Sequence, residues 1–355
     1  MNRLKLLREG RGLTQADLAT AAGLSRQLVG AIEAERNTPS VAAALAIAET
    51  LGMTVEAVFG PRSEDHAPAL GKPVPDGAPV VAARVGDRLV YAELPDGGAA
   101  GPYWGGADGA VAGGRFVSFG DLEPAGTVVA GCDPALGLIA DLLPMGGPRR
   151  LVPIQASSGA AAAALARGRL HAAVVHGLAD RVAAAPEGVR RMRIARWEVG
   201  VAARRGTTID LAAAGRGEVT LARREPGAES QRAFERALAR LGHPTGPSGP
   251  LSPAAGPATP SRPAGPVASG HLEAARLVAY GAADLGLTMA PAAHAFRLDF
   301  VALEEHLVEL WVAGRWWDHP GAHSVGEVVA SAAFRRRVAP LGGYDLSHAG
   351  TIVGG

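Results

Sequence analysis

Cysteine is all but missing from this chain. Cys132 is the single one in 355 residues. That excludes an intrachain disulfide, rules out a disulfide-stapled secreted scaffold and fits a reducing compartment. Lysine is nearly as scarce: Lys5 and Lys72 are the only two, and arginine carries the remaining basic charge. With so much alanine and glycine, this reads as codon bias of a GC-rich genome. No apolar run reaches membrane-spanning length, because Arg167 and Arg169 interrupt the longest alanine-rich stretch. No secretory signal is visible, since the N-terminus is charged and starts helical at once. The expectation is a cytoplasmic protein. Neither sign of charge is in excess, the formal net charge being +1, so nothing global demands nucleic acid.

What is present is core material, 48% hydrophobic residues, in a chain long enough for two or three domains. Residues 1–60 read as five short helices, the fourth starting at Ser40 and carrying Leu45 and Leu51. Residues 61–78 are polar and proline-rich, a linker. Residues 79–123 hold VVAARVG, RLVYAEL and RFVSFG, a β-rich connector; Tyr103 and Trp104 in its glycine-rich loop read as packing. From 124 to 355 strands alternate with helices, which predicts parallel α/β sheets. Within that region, residues 243–270 read as a flexible Pro/Gly/Ser insertion.

The most specific stretch is Gly12–Ser40. Thr14 and Asp17 stand at capping-box spacing. Gly23 follows where a left-handed turn favours glycine. Ser25 can cap a second helix with Val29 and Ile32 inward and Arg26, Gln27 and Gly30 outward. RGLTQADLA, GLSRQLVGAIE and PSVAAALAIAETLGMTVEAVF resemble a Cro/repressor-type (XRE-family) helix-turn-helix domain over Met1 to Phe59. The resemblance implies an operator-binding homodimer on double-stranded DNA. Gln15, Ser25, Arg26, Gln27 and Gly30 would face bases, and Arg11, Arg36 and Asn37 phosphates. Two residues depart from the pattern: Gly30 replaces a small polar residue, and Glu35 stands where glycine is usual. Basic and acidic residues balance in the first 60, six against six, so any positive field comes from placement and dimerisation.

AGCDPALGLIADLL, SSGAAAAALARGRLHAAVVHG, REPGAESQRAFERAL, HLEAARLVAYGAADLGLTMAPAAHAFRLDFVAL and SAAFRRRVAPLGGYDLSHAG together resemble a periplasmic-binding-protein-like domain related to molybdate-binding proteins. The implied fold class is multidomain: an all-α head plus a type II α/β domain of two lobes. The first lobe takes about 124–198 and 300–355, the second about 199–299. A ligand there sits beyond strand ends, near helix N-termini. That singles out Cys132, Asp133, Ser157, Ser158, Gly159, His176, Arg223, Arg224, Gly227 and Ser230. The implied effector is a small molecule or oxyanion, and no cofactor is expected.

Asp133 at the mouth repels a dianion unless it only caps its own helix. Cys132, Asp133 and His176 are a conceivable metal set, but their wide spacing leaves no metal assigned. The plainer readings are a buried thiol, a histidine on a backbone carbonyl and two capping serines. Trp197 and Glu198 lie near the expected interlobe crossing, and Trp316–His319 reads as core or subunit interface. The leading expectation is a ligand-responsive transcriptional regulator and not an enzyme. The alternatives are an enzyme using Cys132 with His176 as base, which lacks a third orienting group, and a ligand-free DNA-binding scaffold.

Overall fold

The computed structural model describes residues 3–9, 11–34, 36–59, 65–94, 106–120, 125–182, 185–242 and 265–353. Glu35, Tyr103 and Trp104 lie outside the described residues, as do 61–64 and 243–264. The chain forms two compact units, Met1–Asp65 and His66–Gly355.

The first unit is all helical: α1 (Arg3–Glu9), α2 (Gln15–Ala21), α3 (Arg26–Glu33), α4 (Val41–Thr50) and α5 (Val55–Phe59). The Thr14 hydroxyl accepts the Asp17 N–H at 3.2 Å, and the Asp17 carboxylate accepts the Thr14 N–H at 2.8 Å, closing the capping box on α2. Gly23 turns the chain at φ 64°, and Ser25 caps α3 by accepting from the Leu28 N–H at 3.1 Å. Leu4, Leu18, Val29, Ile32, Ile47 and Leu51 form the core. Leu45 does not join it. It is 55% exposed, one turn from Val41 at 79%.

The second unit begins with an antiparallel sheet of β1 (Asp65–Pro68), β2 (Pro79–Val85), β3 (Arg88–Glu93), β4 (Gly109–Ala112) and β5 (Arg115–Ser118), in the order β1-β3-β2-β4-β5. Residues 65–78 are therefore not a free linker: four of them form a strand, and Ala69 is fully buried. The sheet is no loose connector either. Val81, Ala83 and Val85 share a core with Val128, Ala130 and Val152 of the following domain. Arg150 also grips Asp108 through two hydrogen bonds of 2.7 and 3.0 Å.

Next come β6 (Thr127–Gly131), α6 (Ala135–Ala140), β7 (Leu151–Gln155), α7 (Ser158–Ala166), β8 (Ala172–Gly177), α8 (Ala179–Val182) and the fifteen-residue β9 (Val189–Ala203). The chain continues through α9 (Leu211–Arg216), β10 (Leu221–Arg224), α10 (Glu229–Arg240), β11 (Val267–Ala268), α11 (His271–Ala279), β12 (Leu285–Met289) and α12 (Ala290–Ala295). It closes with the fifteen-residue β13 (Asp299–Ala313), α13 (Pro320–Ala330), α14 (Ala332–Val338) and β14 (Ile352–Val353). The strands make one nine-stranded sheet, ordered β11-β10-β12-β9-β13-β8-β6-β7, with β14 on β9.

Two lobes arise because β9 and β13, at fifteen residues each, are more than twice the length of β8 and β12 beside them. They pair antiparallel from Val189↔Ala313 to Ala203↔Asp299. One end of this ribbon carries β8, β6 and β7, and the other carries β12, β10 and β11. Irregularities interrupt the register between Ala302 and Glu304 and between Val308 and Glu309, and such bulges re-aim side chains. Glu309, fully buried, takes Arg191 through two bonds of 2.7 and 2.9 Å.

Two sequence expectations are corrected. The last residues of the proline-rich insertion are built structure, since Val267–Ala268 pairs with Arg223–Arg224. The C-terminal helix is two helices, because Ser331 leaves helical geometry (ψ 152°) and caps the second by accepting the Phe334 N–H. Trp316 packs on His171, with ring centroids 4.9 Å apart, so this aromatic group is internal packing.

Gly200 sits on the crossing ribbon, where a Cβ would overlap the Val301 carbonyl and the Phe300 ring. Gly30, on α3, faces only ordinary contact with Gln15. Gly200→Ala is expected to lower unfolding stability by about 1–3 kcal/mol. Gly30→Ala is expected to raise it by up to about 1 kcal/mol. Urea denaturation of each variant checks both signs.

Candidate functional site

On the helical unit, α3 presents Ser25, Arg26 and Gln27 fully exposed, with Gly30 half-buried behind them. Arg36 and Asn37 are exposed just past its end, and Arg11 is exposed with Nη1 donating to the Leu7 carbonyl at 3.2 Å. Gln15 is placed differently from the sequence expectation. Its amide donates to Glu33 at 2.8 Å, and Glu33 also accepts from Arg8 at 2.7 and 3.1 Å. Burial alone would raise the Glu33 pKa, but the Arg8 and Gln15 hydrogen bonds hold it below the ordinary carboxylate value. This knot ties α1 and α2 to α3 and fixes the angle at which α3 projects.

In the two-lobed unit the site lies on the crossing ribbon. Cys132 follows β6, His176 is on β8, and Trp197 and His306 are on the ribbon itself. Arg224 ends β10, and His271 opens α11. All six are buried, at 5% exposure or less. The rings stack as one cluster: His176 lies 4.6 Å from Trp197, 5.2 Å from His306 and 5.5 Å from His271, centroid to centroid.

Asp133 is fully occupied. One carboxylate oxygen accepts the Ala135 N–H at 2.8 Å and the Tyr344 hydroxyl at 2.7 Å, and the other accepts the Trp197 indole N–H at 3.0 Å. It caps α6 and anchors Trp197, which removes it from the metal set conceived from the sequence. Burial raises its pKa, against those hydrogen bonds.

The serines also have internal partners. Ser157 caps α7 through Ala160 at 3.4 Å, and Ser158 accepts the His176 backbone N–H at 2.9 Å. Gly159 is not in a turn but in the first turn of α7, and it is exposed. Arg223 and Arg224 point apart, as neighbours on a strand do. Arg223 donates to the Gly265 carbonyl at 3.1 Å, while Arg224 is buried, donating to the carbonyls of Ala268 and Ser269 at 3.2 Å. Among the described residues no carboxylate forms an ion pair with Arg224. Gly227 turns at φ 87°, and the buried Ser230 hydroxyl has no hydrogen-bond partner among the described residues; neither joins the ring cluster.

Four residues of this cluster were invisible in the sequence: His271, His306, Glu304 and Tyr344. His306 Nε2 meets Glu304 at 3.2 Å, and its Nδ1 meets His176 Nδ1 at 2.9 Å. Glu304 also accepts two hydrogen bonds from Arg236 at 2.7 and 2.6 Å. Burial alone would raise the Glu304 pKa, but Arg236 and His306 hold it down, so it accepts as a carboxylate. Burial lowers the His306 pKa, against the Glu304 contact, and holds His176 well below the ordinary imidazole value. His306 carries its proton on Nε2, toward Glu304. A neutral His306 ring then accepts from His176 Nδ1–H, an arrangement that turns the His176 lone pair to Nε2. His271 is fully buried, with neither ring nitrogen hydrogen-bonded among the described residues. Burial pushes the Cys132 thiol up to about 12.

A helix-turn-helix family model matches residues 4–58, and a PBP superfamily domain model matches residues 144–330. An HTH-type transcriptional regulator of Methanocaldococcus jannaschii is 43% identical over 58 residues, which are 16% of this chain and 88% of that protein. The immunity repressor protein of Bacillus phage phi105 is also 43% identical over 58 residues. They are 16% of this chain, which spans 40% of that repressor's length. An ABC-type phosphate transport receptor from Vibrio cholerae aligns over 62% of this chain and 99% of its own, with 9% identity and a TM-score of 0.41.

The buried histidines fix an acid limit. Unfolded, His176 and His271 titrate near about 6.5; folded, burial holds both well below that. The unfolded state therefore binds more protons below about pH 6.5, so their stability contribution is complete above that pH and is lost as pH falls. The slope is at most about 1.4 kcal/mol per pH unit for each ring. His271→Leu discards no hydrogen bond. It is expected to leave the melting temperature at neutral pH unchanged or higher and to flatten its fall toward pH 5 (roughly one proton less). Calorimetric melts across pH check this.

Proposed function

We propose, for a chain that belongs to the helix-turn-helix transcriptional regulators and to the PBP superfamily, that it is a one-component regulator whose two-lobed domain senses a small effector. The helical unit binds double-stranded operator DNA with α3 in the major groove. Arg26 and Gln27 meet base edges, and Ser25 sits at the helix start beside them. Gly30 lets the backbone approach closely, and Arg11, Arg36 and Asn37 hold phosphates. Gln15 acts by positioning α3 through Glu33. A homodimer supplies the second reader. The exposed pair Val41 and Leu45 is the apolar stripe available for it, and the balanced charge of one head favours binding in pairs.

The effector site is the buried cluster at the lobe crossing. The observation that carries this reading is unmet polar capacity where burial makes it costly. Among the described residues, Arg224 is a buried cation whose side chain has only carbonyl partners, and His271 is a buried ring with both nitrogens unpaired. A ligand there engages Cys132 and His176 from one lobe and His271 or Arg224 from the other. It therefore favours the closed arrangement over any open one, which is the differential affinity a switch requires. The thiol-enzyme alternative fits poorly, because the Cys132 thiol is buried and held as a thiol up to about pH 12. A ligand-free scaffold gives no reason to bury His271 unpaired. No helix among the described residues is long and apolar enough to cross a membrane.

Arg26→Ala and Gln27→Ala are each expected to weaken binding to a fragment carrying the gene's own upstream region by roughly 10- to 100-fold, with the melting temperature unchanged. Fluorescence anisotropy measures this, and wild-type affinity in both variants would remove α3 as the reader. Thermal shift across oxyanions, metals and metabolites tests the sensing half, with stabilisation expected for the effector.

A further inference from the structure

We infer that Cys132, His176 and His271 form a binding site for a thiophilic monovalent metal ion of the Cu(I) class, resting on the effector-site reading above. One ligand atom from each of the three lies within 4.8 Å of the others, and all three residues are buried. Three ligand atoms around one ion, at bond lengths of about 2.0–2.3 Å, stand roughly 3.5–4.0 Å apart. Side-chain adjustments of about 1 Å therefore close the set.

The chemistry of the three groups selects a cation over an oxyanion. The Glu304–His306–His176 chain engages His176 through Nδ1, so Nε2 is the nitrogen it offers to an ion. This is the outer-shell arrangement that orients metal-bound imidazoles. His271 adds a second imidazole with both nitrogens unpaired, and Cys132 adds sulfur. Each supplies one electron-pair donor atom, and a lone pair repels an anion. Arg224 and the N–H of His271 are the groups that favour an anion. A thiolate formed on binding supplies that charge, since the ion replaces the Cys132 proton, which leaves to solvent.

Charge and coordination number choose the ion. A monovalent ion with one thiolate and two neutral imidazoles is a neutral unit beside Arg224, whereas a divalent ion leaves two positive charges buried together. Asp133, spent on Ala135, Trp197 and Tyr344, supplies no fourth ligand. Three donors including a thiolate suit Cu(I), whereas zinc takes four. Two ligands come from the β6/β8 lobe and the third from α11 of the other lobe, so the ion clasps the lobes.

The test uses the reduced full-length chain under anaerobic conditions. Cu(I) is titrated against the chromophoric chelator bicinchoninate, with Zn(II) and Co(II) in parallel. One equivalent of Cu(I) is expected to be withdrawn from the chelator, with an ultraviolet thiolate-to-copper band and a raised melting temperature. Cys132→Ser and His271→Leu are each expected to lose the band and the shift. The second variant is designed to keep the fold, which circular dichroism checks. His306→Gln is expected to keep the stoichiometry but weaken affinity about 10- to 100-fold. The inference is overturned by no Cu(I) binding, by binding indifferent to Cys132→Ser and His271→Leu, by tighter Zn(II) than Cu(I), or by molybdate or phosphate stabilising the chain through His271. Upstream-fragment affinity measured with and without Cu(I) separates the two readings. Cu(I) bound with no change in DNA affinity supports the metal site and sinks the sensing role. Stabilisation by another effector without Cu(I) binding sinks the metal site and leaves sensing intact.

Discussion

The antiparallel ribbon of β9 and β13 is the constraint on which the two-lobed unit depends. Two fifteen-residue strands paired along their whole length give both lobes a common spine, and each lobe adds its parallel strands to one end. At the middle of that ribbon sit the buried Trp197 and His306. The chain thus places polar rings at the one location where both lobes meet. Motion of either lobe acts on that point.

The cost of this placement explains the surrounding network. Asp133 would destabilise the interior as an unpaired carboxylate, and Trp197, Tyr344 and the α6 backbone each donate to it. Glu304 is held by Arg236 from α10 and by His306 from its own strand. Among the described residues, both ring nitrogens of His271 are left without hydrogen bonds, the reverse of ordinary core chemistry. The helical unit follows the same logic at smaller scale. The buried Arg8–Glu33 pair is excluded from water and would be strongly destabilising if halved, and Gln15 completes it. The exposed residues of α3 stand free because that knot lies beneath them.

Local signals were legible wherever neighbours in sequence are neighbours in space. Thr14 with Asp17, Gly23, Ser25 and Ser40 announced their caps and turn. Asp133 before Pro134, and Ser157 before an alanine run, announced helix starts. Leu45 misled because periodicity marks a face as apolar without saying whether anything covers it. Residues 65–78 misled because proline-rich composition does not register that Asp65–Pro68 can complete a sheet edge. Gln15 was placed on the base-reading face, but its partner Glu33 lies eighteen residues away.

A capped helix-turn-helix, an α/β chain of strand–helix units, and the strand-end positions of Cys132, Asp133, His176 and Arg224 follow from the order of the residues alone. These are consequences of short-range hydrogen bonding and of apolar periodicity, both written within a few residues. Only the tertiary structure decided that β9 and β13 run on as one crossing ribbon, that Arg224 turns inward while Arg223 turns out, and that His271 and His306 join His176. Those outcomes depend on strand register and sheet order over separations of about a hundred residues or more, where no local propensity reaches and burial against distant partners sets the geometry.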